Sequence, residues 1–125
     1  MNETRAKHIL IVDDSPDSRI LLKTLLESRG YTTDSTSNGQ EALALLNSNL
    51  ELPQAILLDM RMPVMDGTTF RREQGANPRI KNIPVVIMSG DKTTSKMQAN
   101  ADYVLQKPLN VSSLMATIEK TTLVL

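Results

Sequence analysis

Short, wholly apolar runs recur along the chain, and nearly all of them close on a polar residue. Ile9-Leu10-Ile11-Val12 ends on Asp13 and Asp14, the run within 54–58 ends on Asp59, the run 83–88 delivers Ser89 and Gly90, and 103–106 ends at Lys107-Pro108. Apolar runs of this length, bounded by breakers, read as strands buried on both faces of a parallel sheet. Pro84 lies near the start of its run, where a missing donor costs little. A threonine-rich stretch at 31–35 is a weaker strand, second in chain order.

Between the strands the period lengthens to that of helices. Ser15-Pro16 places an N-cap before a proline at the first helical position, and Ile20, Leu21, Leu22, Leu25 and Leu26 follow at helical spacing until Gly30 stops them. Asn38-Gly39 opens a second helix through Ala42, Leu43 and Leu46, closed by Asn47-Ser48-Asn49. Residues 68–74 are expected to form a short, weakly packed helix with Phe70 as its only large apolar residue, ended by Gly75 and Pro78. Residues 93–101, anchored by Met97, predict another short helix, and Val111, Leu114, Met115 and Ile118 a final amphipathic one. Strands alternating with helices argue for a three-layer α/β domain with a five-stranded parallel sheet and right-handed crossovers.

The composition narrows what such a domain does. At 125 residues and 40% hydrophobic, the chain is long enough for one folded domain, expected over 1–125. Lys plus Arg and Asp plus Glu both count 14, so no net charge draws it to nucleic acid or an anionic membrane. Without cysteine there is no disulfide framework, thiolate zinc site or cysteine nucleophile, which fits a reducing cytoplasm. The polar residues 1–8 and the nearby Asp13 and Asp14 leave no room for a secretory signal or a membrane span, so a cytoplasmic location is expected.

Parallel strands release their ends at one edge of a sheet, where open α/β sheets bind ligands. Asp13, Asp14, Asp59, Ser89 and Lys107 therefore converge. Three carboxylates in one crevice raise one another's pKa unless a cation intervenes, and Lys107 offsets only part of their charge. An all-oxygen cluster of this kind suits a hard divalent ion, most naturally Mg²⁺, with Mn²⁺ as a substitute. A carboxylate beside Mg²⁺, a lysine and a hydroxyl has the parts for phosphoryl transfer, and Asp59, alone on the central strand, takes the nucleophile's role.

The acidic pair after the first strand, the stretch Leu-Leu-Asp-Met-Arg-Met-Pro-Val-Met-Asp-Gly around Asp59, the Ser89-Gly90 step and Lys107-Pro108 together resemble the CheY-like receiver domain of two-component response regulators over essentially the whole chain. The resemblance implies a flavodoxin-like sheet of order 2-1-3-4-5. It implies that Asp59 accepts phosphate from a sensor histidine kinase or phosphotransfer protein. Asp14, Asp59 and the backbone carbonyl of Arg61 would bind Mg²⁺, with Asp13 acting through water. Ser89, Gly90 and Lys107 would contact the phosphoryl group, Ser89 and Tyr103 would form the switch, Gly67 would be structural, and the Lys107–Pro108 bond would be cis. A downstream output protein, phosphorylation-dependent homodimerisation, and a stand-alone or excised receiver with no output domain after its last helix belong to the same expectation. The module would assist its own phosphorylation and dephosphorylation without acting on an external substrate.

The sequence departs from this family in three places. The segment from Ser89 to Lys107 is shorter than usual by about one helical turn, ~3.6 residues. Tyr103 lies one place further from Lys107 than the family's aromatic switch residue, Val104 takes that position, and a bulge would be needed to restore the tyrosine. Arg71 and Gln74 stand where the helix after Asp59 usually looks apolar. These departures motivate an alternative, a phosphorylation-independent interaction domain. Ser89 alone also reads as a strand-end cap, and Tyr103 as core packing.

Other classes fit less well. Asp13 and Asp14 would repel the phosphate of FMN, Arg61 stands where a dehalogenase-type phosphatase carries a second acid, and no dinucleotide glycine fingerprint is present. Met60, Met62 and Met65 read as gap-fillers in a tight turn rather than soft-metal ligands. His8, with no partner histidine or cysteine, reads as an edge residue, and Arg71, Arg72, Arg79 and Lys81 as a solvated face. Arg61, two residues beyond Asp59, is expected to reach phosphoryl oxygens and slow self-dephosphorylation.

Overall fold

The computed structural model describes residues 3–48, 51–60, 65, 67–90 and 103–122, the side chains of 3–6 and 122 aside. In chain order the elements are β1 (Glu3–Val12), α1 (Pro16–Ser28), β2 (Thr32–Thr36), α2 (Gly39–Ser48), β3 (Glu51–Asp59), α3 (Gly67–Gly75), β4 (Val85–Ser89), β5 (Tyr103–Gln106) and α4 (Val111–Thr122). All strand pairs are parallel, and the sheet order is β2-β1-β3-β4-β5, as expected. The helix predicted over 93–101 lies outside the described residues.

Strand alternation divides the core into two layers. Leu10, Val12, Ile56, Leu58, Val85 and Ile87 pack on one face with Ala42 and Leu46 of α2 and Phe70 of α3. Ile9, Ile11, Ala55, Leu57, Val86 and Met88 pack on the other with Leu22 and Leu26 of α1 and Leu114, Met115 and Ile118 of α4. The strands are apolar at successive positions because both faces are covered.

The start of α1 follows its sequence signal. Ser15 has extended backbone angles, accepts from the Ser18 N–H through its hydroxyl, and precedes Pro16 in the first turn. The stop is Gly30 at φ +88°, a left-handed conformation that favours glycine.

Four expectations need correcting. β1 is not confined to 9–12; it begins at Glu3 and pairs with β3 on both sides of a register shift between Arg5 and Ile9. Lys7, inside that irregularity, has φ 55°, and its N–H donates to Gln54 Oε1 at 3.0 Å. His8 is not an edge residue. It is 6% exposed on a strand flanked by β2 and β3, with Nδ1 2.6 Å from Thr32 Oγ1 and Nε2 2.9 Å from Asp34 Oδ2.

α3 is short, as predicted, but not weakly packed, since both Phe70 and Gln74 are fully buried. The Gln74 amide donates to Ile80 O at 2.9 Å and Ile83 O at 3.1 Å, while its Oε1 accepts from Arg71 Nη1 at 2.8 Å. A polar residue replaces an apolar one here because the loop into β4 brings carbonyls that must be satisfied. The basic residues are likewise not one solvated face: Arg71 serves Gln74, Arg79 donates to Leu46 O at the end of α2, and only Arg72 and Lys81 are exposed.

Candidate functional site

β1 and β3 run side by side in the middle of the sheet, with Val12 paired to Leu58, so the residues that follow emerge together. Carboxylate oxygens of Asp13, Asp14 and Asp59 lie within 4.8 Å of one another. Asp13 and Asp59 are buried and Asp14 is exposed, so the cluster opens to solvent on one side. Lys107, just beyond β5, brings Nζ to 3.4 Å from Asp59 Oδ1. Among the described residues, one ammonium faces three acids.

The surrounding backbone holds these groups in place. The Asp13 N–H donates to Thr36 O at 3.1 Å, and Asp13 Oδ1 accepts from the Ser15 N–H at 2.9 Å. Asp13 Oδ2 is buried and has no hydrogen-bond partner among the described residues. A carboxylate oxygen left in that state is costly unless a cation or bound water completes it. The Lys107 N–H donates to Ser89 O at 2.8 Å, carrying the β4–β5 ladder one residue further, and the Lys107–Pro108 bond is cis.

Ser89 closes β4 and is 5% exposed, whereas Gly90 is exposed with open space where a side chain would stand. The structure therefore gathers Asp13, Asp14, Asp59 and Lys107, with Ser89 joined through the Lys107 main chain. It does not bring Tyr103 to Ser89. The β4–β5 register runs without a shift from Val86↔Tyr103 to Ser89↔Gln106, so no bulge restores the tyrosine. Tyr103 packs with Met88 and Leu105, while Val104 packs on the opposite face with Ile87, the face that alternation also gives Ser89. Arg61 lies outside the described residues, as do Met62 and the segment 91–102.

Close packing supports the loop after Asp59. The Gly67 N–H donates to Met60 O at 3.2 Å, and a Cβ on Gly67 would stand 2.5 Å from Met60 Sδ and 3.0 Å from Met60 Cα. Met65 packs less tightly over Gly39, where a Cβ would stand 3.0 Å from Met65 Cγ and 3.1 Å from its Sδ. Both methionines pack onto the core, in keeping with gap-filling. From Asp13 and Lys107 an apolar groove of about 390 Å³ runs between α1 and α4, lined by Leu21, Leu25 and Leu114 among others. At its side Ile20 and Leu21 are 62% and 59% exposed. The sequence shows both at helical spacing with Leu22, Leu25 and Leu26, and that spacing does not distinguish a covered face from an open one. Sequence reasoning passed over Arg19, whose only signal is its position one turn after the N-cap.

Comparison with known proteins settles the family. Residues 9–119 match the response regulator receiver domain. The chain belongs to that family. As a receiver domain it is 35% identical over 115 residues to the protein PilH of Pseudomonas aeruginosa, covering 88% of this chain and 93% of PilH. It is 30% identical over 117 residues to the sensor histidine kinase CheAY of Helicobacter pylori, covering 90% of this chain but only 15% of that longer protein. Among solved structures it is similar to the receiver domain of sensor histidine kinase PA1611 from P. aeruginosa, with TM-score 0.83, 26% identity and coverage of 90% and 94% of the two chains. That structure has a magnesium ion coordinated in its active site cleft. The receiver domain is a module of two-component signalling. No helix among the described residues is long and apolar enough to cross a membrane.

Proposed function

We propose that this receiver domain, read as a single module over the whole chain, takes a phosphoryl group onto Asp59 from a histidine kinase or phosphotransfer protein. The observation that carries the reading is the Asp59–Lys107 contact of 3.4 Å inside a cluster of three carboxylates. An Asp59 oxygen lone pair forms the new O–P bond as the donor's N–P bond breaks, and that electron pair remains on the donor imidazole. The Lys107 ammonium neutralises a phosphoryl oxygen, and the Ser89 hydroxyl and Gly90 N–H donate to the others.

The orphaned Asp13 Oδ2 and the all-oxygen donor set fit a hard divalent cation. Asp14 and Asp59, with the Arg61 carbonyl, would hold Mg²⁺ (or Mn²⁺), and Asp13 would act through water. Bound there, the cation supplies charge neutralisation for the carboxylates and the incoming phosphoryl oxygens. Exposed Leu21, which lines the same groove as Asp13, offers apolar area on which the phosphate donor rests. The phosphorylated state is read by an output protein in the cytoplasm, and no external substrate is turned over.

Intact-mass spectrometry after treatment with a small phosphodonor and Mg²⁺ tests this. One phosphate is expected on the wild type and none on Asp59→Asn. A wild type that stays unmodified while binding Mg²⁺ contradicts the reading. The unshifted β4–β5 register, which keeps Tyr103 from Ser89, favours a second reading in which partners bind regardless of phosphate. Partner affinity unchanged by Asp59→Asn and by phosphodonor would support it.

A further inference from the structure

Three of the four polar atoms of Asp13 are held within the described residues. Besides its N–H and Oδ1, already tied to Thr36 and Ser15, its main-chain carbonyl accepts from Arg19 Nη1 at 2.7 Å. The fourth, Oδ2, is the buried oxygen without a partner. Two of these bonds are to backbone groups, of Thr36 and Ser15; the bond from Arg19 alone is made by a side chain, from the following helix. The Arg19 N–H donates to Ser15 O at 3.0 Å in the first turn of α1, and helical side chains lean toward the N-terminus, which returns the guanidinium over the β1–α1 loop.

On its other side Arg19 meets the field of Glu41 at the start of α2. The Ser37 hydroxyl and N–H fix Glu41 Oε1 at 2.6 and 2.8 Å. Those two bonds, and after them the Arg19 charge, hold the Glu41 carboxyl below its ordinary value.

We propose that Arg19 is a positioning residue for the acidic site: by holding the Asp13 carbonyl it sets the Asp13-Asp14 step against Asp59, and so the affinity for the divalent cation. It touches neither the cation nor the phosphoryl group. The inference rests on the reading of the cluster as a Mg²⁺ site. Charge alone predicts the opposite sign, because removing a cation near three carboxylates tightens Mg²⁺ binding.

Calorimetric titration of the full chain with Mg²⁺, paired with thermal unfolding in chelator, separates the two. Arg19→Ala is expected to bind Mg²⁺ about tenfold more weakly, the scale of outer-shell losses. Arg19→Lys, which keeps a donor for the carbonyl, is expected to recover most of that affinity. If Arg19→Ala does not fold, Arg19→Met keeps the packing of the stem and carries the same expectation. Unchanged or tighter binding in the folded Ala or Met variant, or a loss that lysine does not rescue, overturns the role of Arg19. A wild type that takes up no Mg²⁺ overturns the reading of the cluster, and this inference with it.

Discussion

The two ends of this sheet handle buried polar groups in opposite ways. At the end away from the site, Gln54 of β3 accepts from the Lys7 N–H and donates to Thr121 Oγ1 at 2.8 Å and Ile118 O at 3.3 Å, so a buried amide joins β1, β3 and α4. The Thr121 hydroxyl in turn donates to Ile118 O, and the Lys7 ammonium lies 5.8 Å from the centre of the Tyr31 ring. At the opposite end three carboxylates crowd within 4.8 Å, and among the described residues one buried oxygen has no hydrogen-bond partner while Lys107 lies 3.4 Å from Asp59. The first arrangement completes its hydrogen bonds within the chain and contributes stability. The second leaves its bonding capacity for something brought from outside.

This contrast predicts separable losses. Gln54→Ala strands the Lys7 N–H and leaves the Thr121 hydroxyl with its bond to Ile118 O alone, and is expected to lower stability in urea by about 2–3 kcal/mol without altering Mg²⁺ affinity. Loss of Mg²⁺ binding in that variant would show that the two ends are coupled. Gly67→Ala drives a methyl group against Met60, sulfur and backbone alike, and is expected to cost about 2 kcal/mol. Adding Met60→Ala should recover only part of this, because the Met60 Cα remains close.

Asp13→Asn acts in the reverse sense. Removing one of three like charges is expected to raise stability in chelator by about 1 kcal/mol while weakening Mg²⁺ binding. Destabilisation in chelator would mean that the acids are already neutralised within the fold. The smallest effect concerns Glu41. Its carboxyl is held below 4.5 in the folded chain, chiefly by the Ser37 hydroxyl. The contribution is therefore fully present above that value and fades as pH falls through the lower folded value. Stability measured across this acid range should fall less steeply for Glu41→Gln than for the wild type.

The active edge was legible in the sequence for a physical reason. Strands buried on both faces must be apolar throughout, so the first polar residue marks where each emerges, and parallel pairing carries all of those positions to one side. The same logic hid the satisfied end. Glu3 to Lys7 is polar and irregular, and only its pairing with Glu51–Pro53 makes it strand. His8 has no partner nearby in sequence; parallel register supplies Thr32 opposite it and Asp34 two residues on. Gln74 was visible as a departure from an apolar pattern, yet its purpose depends on where the loop through Ile80 and Ile83 turns back. For Tyr103 the sequence shows an offset from Lys107, and the regular β4–β5 register gives it the face opposite to that of Ser89.

The most direct test of the central claim is site-localised mass spectrometry of the wild type after phosphodonor treatment, with Mg²⁺ and with chelator. The account predicts a single acyl phosphate on Asp59 that forms with Mg²⁺ and fails to form with chelator. Phosphate on any other residue, or an unmodified chain under conditions in which Mg²⁺ binds, would contradict it.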